Sequence, residues 1–282
     1  MRLVLGSAQL GMKYGVTNKN KINPKEIDKI KDFVKKKKLS YFDTSQNYGS
    51  AEKIIGGFNI NNLKVVTKFK LPKNKKNIEN LLPKLVLNSL KKTCVKKIYA
   101  LLFHDPHDAF GPDIKIYIKT LKYLKNKGLI KYYGVSLYDP KDLKKILKLW
   151  KPDIVQVPVN ILDQRFIKKK IIMLLKNKKI KIMARSCFLQ GILIDENFIK
   201  SKFFKFEKKL NTFFKWCELN KISKTKACID FIKQNFYIDY LIVGFNDVYQ
   251  LEKIYNQFHS NNKIIPTYFK SNIQKLIDPR QW

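Results

Sequence analysis

Eight short apolar runs recur along the chain, each separated from the next by a longer, Lys-rich stretch. They are Leu3-Val4-Leu5, Tyr41-Phe42, Val65-Val66, Ile98 to Phe103, Tyr132 to Val135, Ile154 to Val157, Ile180 to Ala184 and Tyr240 to Val243. Runs this continuous are expected of strands covered on both faces. The stretches between them place apolar residues at helical spacing: Ile27, Ile30 and Phe33, then Leu81, Leu82, Leu85 and Leu90, then Ile116, Leu121 and Leu124, then Leu143, Ile146 and Leu147. Asn23-Pro24-Lys25-Glu26 and Asp139-Pro140-Lys141-Asp142 read as capped helix starts, and Gly128 as a helix stop. Strand then helix, repeated through 282 residues, predicts an α/β fold, a (β/α)8 TIM barrel forming a single domain over residues 1–282. A doubly wound sheet is the structural alternative, but no G-x-G-x-x-G follows any strand. The longest gap, between strands seven and eight, is read as a loop over about 186–204 and a helix around 206–220.

At 45% hydrophobic residues, the composition excludes a disordered chain, a coiled coil and a collagen-like fibre. No apolar run approaches the roughly 18 residues of a membrane span, and the first ten residues lack the apolar stretch of a secretory signal. Cys94, Cys187, Cys217 and Cys228 fit no zinc or redox spacing, so free thiols in a reducing, cytoplasmic setting are expected. The net charge is +36, yet only four of the 58 basic residues are Arg. Nucleic-acid readers draw on Arg for bidentate contacts, so this excess is read as Lys on solvated faces, without a nucleic-acid or membrane partner. His104-Asp105-Pro106-His107 invites a metal reading, but Pro106 breaks any helical face and no third ligand is evident, so no metal is expected.

In a barrel of this kind, the chemistry lies at the C-terminal ends of the strands. Strand two ends in Asp43, strand three in Lys68 and strand four in His104, with Tyr48 five residues beyond Asp43. A Lys and an Asp leaving apolar strands have to pair, since an unpaired charge there is costly. A cation beside Tyr48 is expected to lower its pKa from near 10, making it a proton donor, while His104 donates a hydrogen bond to a carbonyl oxygen. None of these side chains supplies hydride, so a cofactor is required.

This order of residues resembles the aldo-keto reductase superfamily, in its bacterial, short-loop members. The matching segments are Leu5 to Gly11, Phe42 to Ser45 through Tyr48 to Glu52, Thr67-Lys68, His104-Asp105, Gly134 to Ser136, Gln156 to Asn160, Ala184 to Ser186 and Ile242 to Gly244. The resemblance implies NAD(P)H-dependent reduction of an aldehyde or ketone. It makes Asp43, Tyr48, Lys68 and His104 the catalytic tetrad. Ser136 and Gln156 match positions that hold the nicotinamide carboxamide, although Leu137 stands where Asn is usual. Arg185 takes the position of a stacking aromatic ring, and Ser186 resembles a pyrophosphate contact. Gly244 and Gln250 belong to the last cofactor segment, where Phe245 and Asp247 replace the residues that often hold a 2′-phosphate. NADP is the expected cofactor, with NAD the alternative. A sugar or nucleotide-sugar carbonyl is the substrate class that the resemblance suggests. A second reading, prompted by Leu137, Arg185 and Phe245, is a regulatory or scaffold protein that binds the cofactor and turns over poorly.

Overall fold

The computed structural model of the chain describes residues 1–15, 21–70, 77–198 and 203–282. Each predicted apolar run is a strand: β1 (Arg2–Gly6), β2 (Tyr41–Asp43), β3 (Lys64–Phe69), β4 (Ile98–Phe103), β5 (Ile130–Ser136), β6 (Ile154–Pro158), β7 (Lys181–Arg185) and β8 (Tyr240–Val243). All neighbours are parallel, and β1 pairs with β8 through Val4 and Ile242 to close the barrel. The helices, in chain order, are α1 (Ala8–Gly11), α2 (Pro24–Lys36), α3 (Ala51–Gly57), α4 (Ile78–Thr93), α5 (Ile114–Asn126), α6 (Pro140–Leu149), α7 (Lys169–Asn177), α8 (Glu207–Leu219), α9 (Lys224–Lys233), α10 (Val248–His259) and α11 (Gln274–Ile277).

The helix signals act as the sequence implies. The Asn23 side chain accepts from the Glu26 N–H at 2.9 Å, and that of Asp139 from the Lys141 N–H at 2.7 Å. Gly128, past the end of α5, sits at φ +73°, where a Cβ would be strained. In α5 the buried face is Ile114, Tyr117, Leu121 and Leu124, while Ile116 is 40% exposed. The expected stripe was therefore out of phase at its first residue. The segment between β7 and β8 holds α8 where a helix was expected and also α9, which was not foreseen. Ser223 caps α9 by accepting from the Lys226 N–H, and its six consecutive residues Ala227 to Ile232 are all buried. Residues 199–202 of the expected loop lie outside the described residues.

Side chains alternate across each strand. Leu5, Phe42, Val65, Leu101, Phe103 and Val155 face the helices. Val4, Val66, Ala100, Leu102, Ile154, Met183 and Ile242 fill the barrel itself. This inner layer is almost wholly buried and separates two mouths, one at each end of the strands. Among the described residues, no helix is long and apolar enough to cross a membrane.

Candidate active site

Asp43 ends β2, Lys68 lies near the end of β3, and His104 directly follows β4, so pairing β2 with β3 and β3 with β4 brings the three to one mouth. Lys68 Nζ donates to Asp43 Oδ1 at 2.8 Å, Asp43 Oδ2 at 2.7 Å and the Thr44 carbonyl at 2.9 Å. Both charged side chains are buried, at 2% and 8% exposure, and each is held by the other as such a site requires. Lys68 Nζ also lies 5.2 Å from the centre of the Tyr48 ring. The Tyr48 and His104 rings meet edge to face, with centres 5.8 Å apart.

Tyr48 is positioned by close backbone packing. A Cβ on Gly11 would lie 1.9 Å from the Tyr48 carbonyl oxygen, and one on Gly49, at φ +56°, would lie 2.6 Å from the Gly11 carbonyl. Only glycines let the two loops meet there.

The electrostatics depart from the sequence expectation at Tyr48. Burial, and then the Asp43 carboxylate, push its phenol well above the ordinary value, and the Arg185 guanidinium opposes them only in part. The Lys68 ammonium has its three N–H groups directed at Asp43 and Thr44, so it offers the phenol a field and no hydrogen bond. His104 moves the other way. Burial, with Lys68, Arg185 and Lys70 nearby, lowers its pKa to about 4, so the imidazole is neutral at neutral pH.

Ser45 is a site residue that the sequence reading missed. Its Oγ lies 3.0 Å from His104 Nδ1, 3.2 Å from the Lys68 carbonyl, and accepts from the Asn47 N–H. One hydroxyl proton serves two acceptors there. When it goes to Nδ1, the imidazole proton resides on Nε2. A Ser in a turn is an ordinary turn former, so nothing local marked it.

A cavity of about 450 Å3 opens from Asp43 and Tyr48 and is lined also by Gln156, Arg185, Ser186, Gly244 and Gln250. Ser136 stands behind that wall, its Oγ donating to Gln156 Oε1 at 3.4 Å. Gln156 is not a free amide: its Nε2 donates to Asp43 Oδ1 at 2.7 Å, tying the expected cofactor contact to the ion pair. Arg185 donates to Ser186 Oγ and to the Leu137 carbonyl, with its guanidinium 4.2 Å from the Tyr138 ring centre. The cavity wall is bare backbone at Gly244, where a Cβ would stand 2.8 Å from Gln9 Nε2. At the far end, Gln250 Oε1 accepts from the Asn246 N–H, Asp247 caps α10 through the Gln250 N–H, and Glu26 accepts from the Val248 N–H. Tyr14 and Gln9 also line the cavity, and the Tyr14 and Tyr48 ring centres are 6.2 Å apart. Cys187 is buried in the wall, and burial pushes its thiol up, so it serves there as a packed small residue. Among the described residues, the aromatic residues of α8 and the turn before it do not line the cavity. Phe203 and Phe206 are buried, and Trp282 packs edge-on to Phe203 at 5.0 Å.

A closed parallel barrel with an Asp–Lys pair, a Tyr and a His at its C-terminal mouth defines an oxidoreductase of the aldo-keto reductase kind. The chain belongs to the aldo/keto reductase family, whose model matches residues 2–272. No curated protein matches it significantly. The same fold is seen in an aldo-keto reductase from Bacillus halodurans, at 17% identity and TM-score 0.73, covering 100% of this chain and 95% of that one. It is seen again in a glycerol dehydrogenase from Gluconobacter oxydans, at 20% identity and TM-score 0.68, covering 93% and 88%.

Proposed function

We propose that the chain reduces an aldehyde or ketone to an alcohol with a nicotinamide dinucleotide, and that Tyr48 protonates the developing alkoxide. The observation that carries this reading is the buried Lys68–Asp43 pair beneath Tyr48, with His104 against the same ring. When bound, the dinucleotide supplies the hydride. Ser186, Gly244 and Gln250 would hold it along the bare wall of the cavity, and Gln156 would orient its nicotinamide end while anchored to Asp43. An alkoxide is far more basic than any phenolate, so a Tyr48 whose pKa is raised still gives up its proton at that step and keeps it until then. A neutral His104 protonated on Nε2 donates to the carbonyl oxygen, and the Ser45 hydroxyl favours that tautomer.

The lining also bears on the form of the dinucleotide. The described residues at the α10 end offer no Lys or Arg, and Asp247 and Glu26 already occupy the N–H donors there. That supports an unphosphorylated ribose, so NAD over the NADP expected from the sequence. Gln9, Tyr14, Gln190 and Asp195 give the mouth a hydroxyl-binding character, which supports a sugar or other polyol carbonyl. The free thiols suit a reducing cytoplasm. Oxidation of NADH and NADPH with a panel of aldoses and simple aldehydes, alongside fluorescence quenching by each cofactor, tests the reading. Turnover with NADH favoured supports it. Tight cofactor binding with no carbonyl reduced would replace it with the regulatory reading.

A further inference from the structure

The alternation that aims Asp43, Lys68 and Arg185 at one mouth also decides what lines the other. On β3 the inward series is Lys64, Val66, Lys68, and on β7 it is Lys181, Met183, Arg185. On β1 it is Arg2, Val4, Gly6, and on β8 it is Tyr240 and Ile242. Three cations thus occupy inward positions at the N-terminal ends of strands, where barrels ordinarily place bulky apolar residues. A coat of solvated Lys does not account for that placement.

These residues surround a second cavity of about 460 Å3, walled by Arg2, Tyr41, Lys64, Tyr99, Lys131, Tyr132, Lys181 and Tyr240 among others. Among the described residues, no carboxylate pairs with Arg2, Lys64, Lys131 or Lys181. The one carboxylate on the wall, Asp239, is held by Lys176 at 3.1 Å and by the Ile182 N–H at 2.8 Å. The tyrosines add hydroxyls that can accept as well as donate. Arg2 Nη1 donates to the Tyr41 hydroxyl at 3.1 Å, and the buried Tyr99 and Tyr240 hydroxyls are 2.5 Å apart. One hydroxyl of that pair donates to the other, which leaves the second one's proton available to a ligand. Burial raises both phenols, which keeps them protonated donors.

Ammonium, guanidinium and phenol groups converge on one hollow in which tyrosine rings face Arg2, Lys131 and Lys181 and no carboxylate pairs with them among the described residues, which is the complement of an oxyanion that only accepts. Their mutual repulsion falls when a multivalent anion enters. We propose that the N-terminal mouth of the barrel binds a small phosphate-bearing anion, at a site separated from the catalytic mouth by the inner core layer.

Isothermal titration of the whole chain with inorganic tripolyphosphate, at about 150 mM salt to screen the general surface charge, tests this. One tripolyphosphate per chain is expected. Affinity should fall roughly tenfold or more in K64Q/K181Q, equivalent to about 1.4 kcal/mol. It should stay unchanged in K35Q/K36Q, which removes two exposed charges from α2. Tripolyphosphate should raise the Tm of the parent and the control and not that of K64Q/K181Q, which also shows that the variant folds. Tyr240→Phe should weaken binding several-fold while retaining the fold. Absence of saturable binding, equal loss in the control, or competition by duplex DNA at equal phosphate concentration would each overturn the proposal. Carbonyl reduction, which rests on the opposite mouth, is a separate readout and should be unaffected by K64Q/K181Q.

Discussion

Lys68 directs its whole ammonium at Asp43 and the Thr44 carbonyl, and Asp43 in turn accepts from Gln156. The pair is therefore both the floor of the candidate site and a buried ionic element of the core. Removing one partner leaves an uncompensated charge. Lys68→Met or Asp43→Asn should each cost about 3–5 kcal/mol of stability. The double variant should cost clearly less than the sum of the two, as coupled neighbours do. Urea denaturation of the four proteins measures this, and additive losses would contradict the coupling.

Tyr48 is half-buried, and among the described residues no hydrogen bond from its hydroxyl holds the fold together. Tyr48→Phe should thus fold normally and bind cofactor while kcat falls by about 10²–10⁴-fold, the usual value of a positioned proton donor. Steady-state rates beside a melting curve decide it. A variant reducing carbonyls at the parent rate would remove Tyr48 from the chemistry.

Ser45 acts through His104. Ser45→Ala leaves Nδ1 without its 3.0 Å partner, so the neutral imidazole is free to shift its proton from Nε2. We expect kcat to fall by roughly tenfold, the scale of a lost second partner, with cofactor binding unchanged. The His104 ring-nitrogen chemical shifts should report the change of tautomer. Ser45→Thr, which keeps the hydroxyl, should restore both.

His104 also sets an acid limit. Its folded pKa of about 4 lies below the ordinary 6.5, so between those values the unfolded chain binds a proton that the folded chain does not. Its contribution to stability is complete above pH 6.5 and is lost as pH falls through about 4. Denaturation midpoints should decline over that window, and less steeply in His104→Gln. Activity should be level through neutral pH, because Tyr48 stays protonated, and should fall only as His104 becomes charged. A fall in rate near pH 6.5 would show an unperturbed imidazole.

The barrel was legible in the sequence, and so was the gathering of Asp43, Lys68 and His104 at one mouth, because each rests on a local signal. Continuous apolar runs mark buried strands, the caps at Asn23 and Asp139 mark helix starts, and Asp43, Lys68 and His104 stand where strands end. Helix α9 was not legible, since Ala227 to Ile232 are buried on every side and so carry no amphipathic stripe. Ser45 was hidden because its role depends on a residue 59 positions away.

The order of strands and the residue types at the candidate site thus followed from the chain's own pattern, through side-chain period and turn chemistry. Tertiary structure alone decided the sign of the Tyr48 shift, since desolvation and the Asp43 charge outweigh any nearby cation once the barrel closes. It alone tied Gln156 to Asp43. It also turned Arg2, Lys64 and Lys181, indistinguishable in sequence from a solvated coat, toward a shared hollow. The reason is the same in each case: burial and proximity across strands are properties of closure, and no window along the chain contains them.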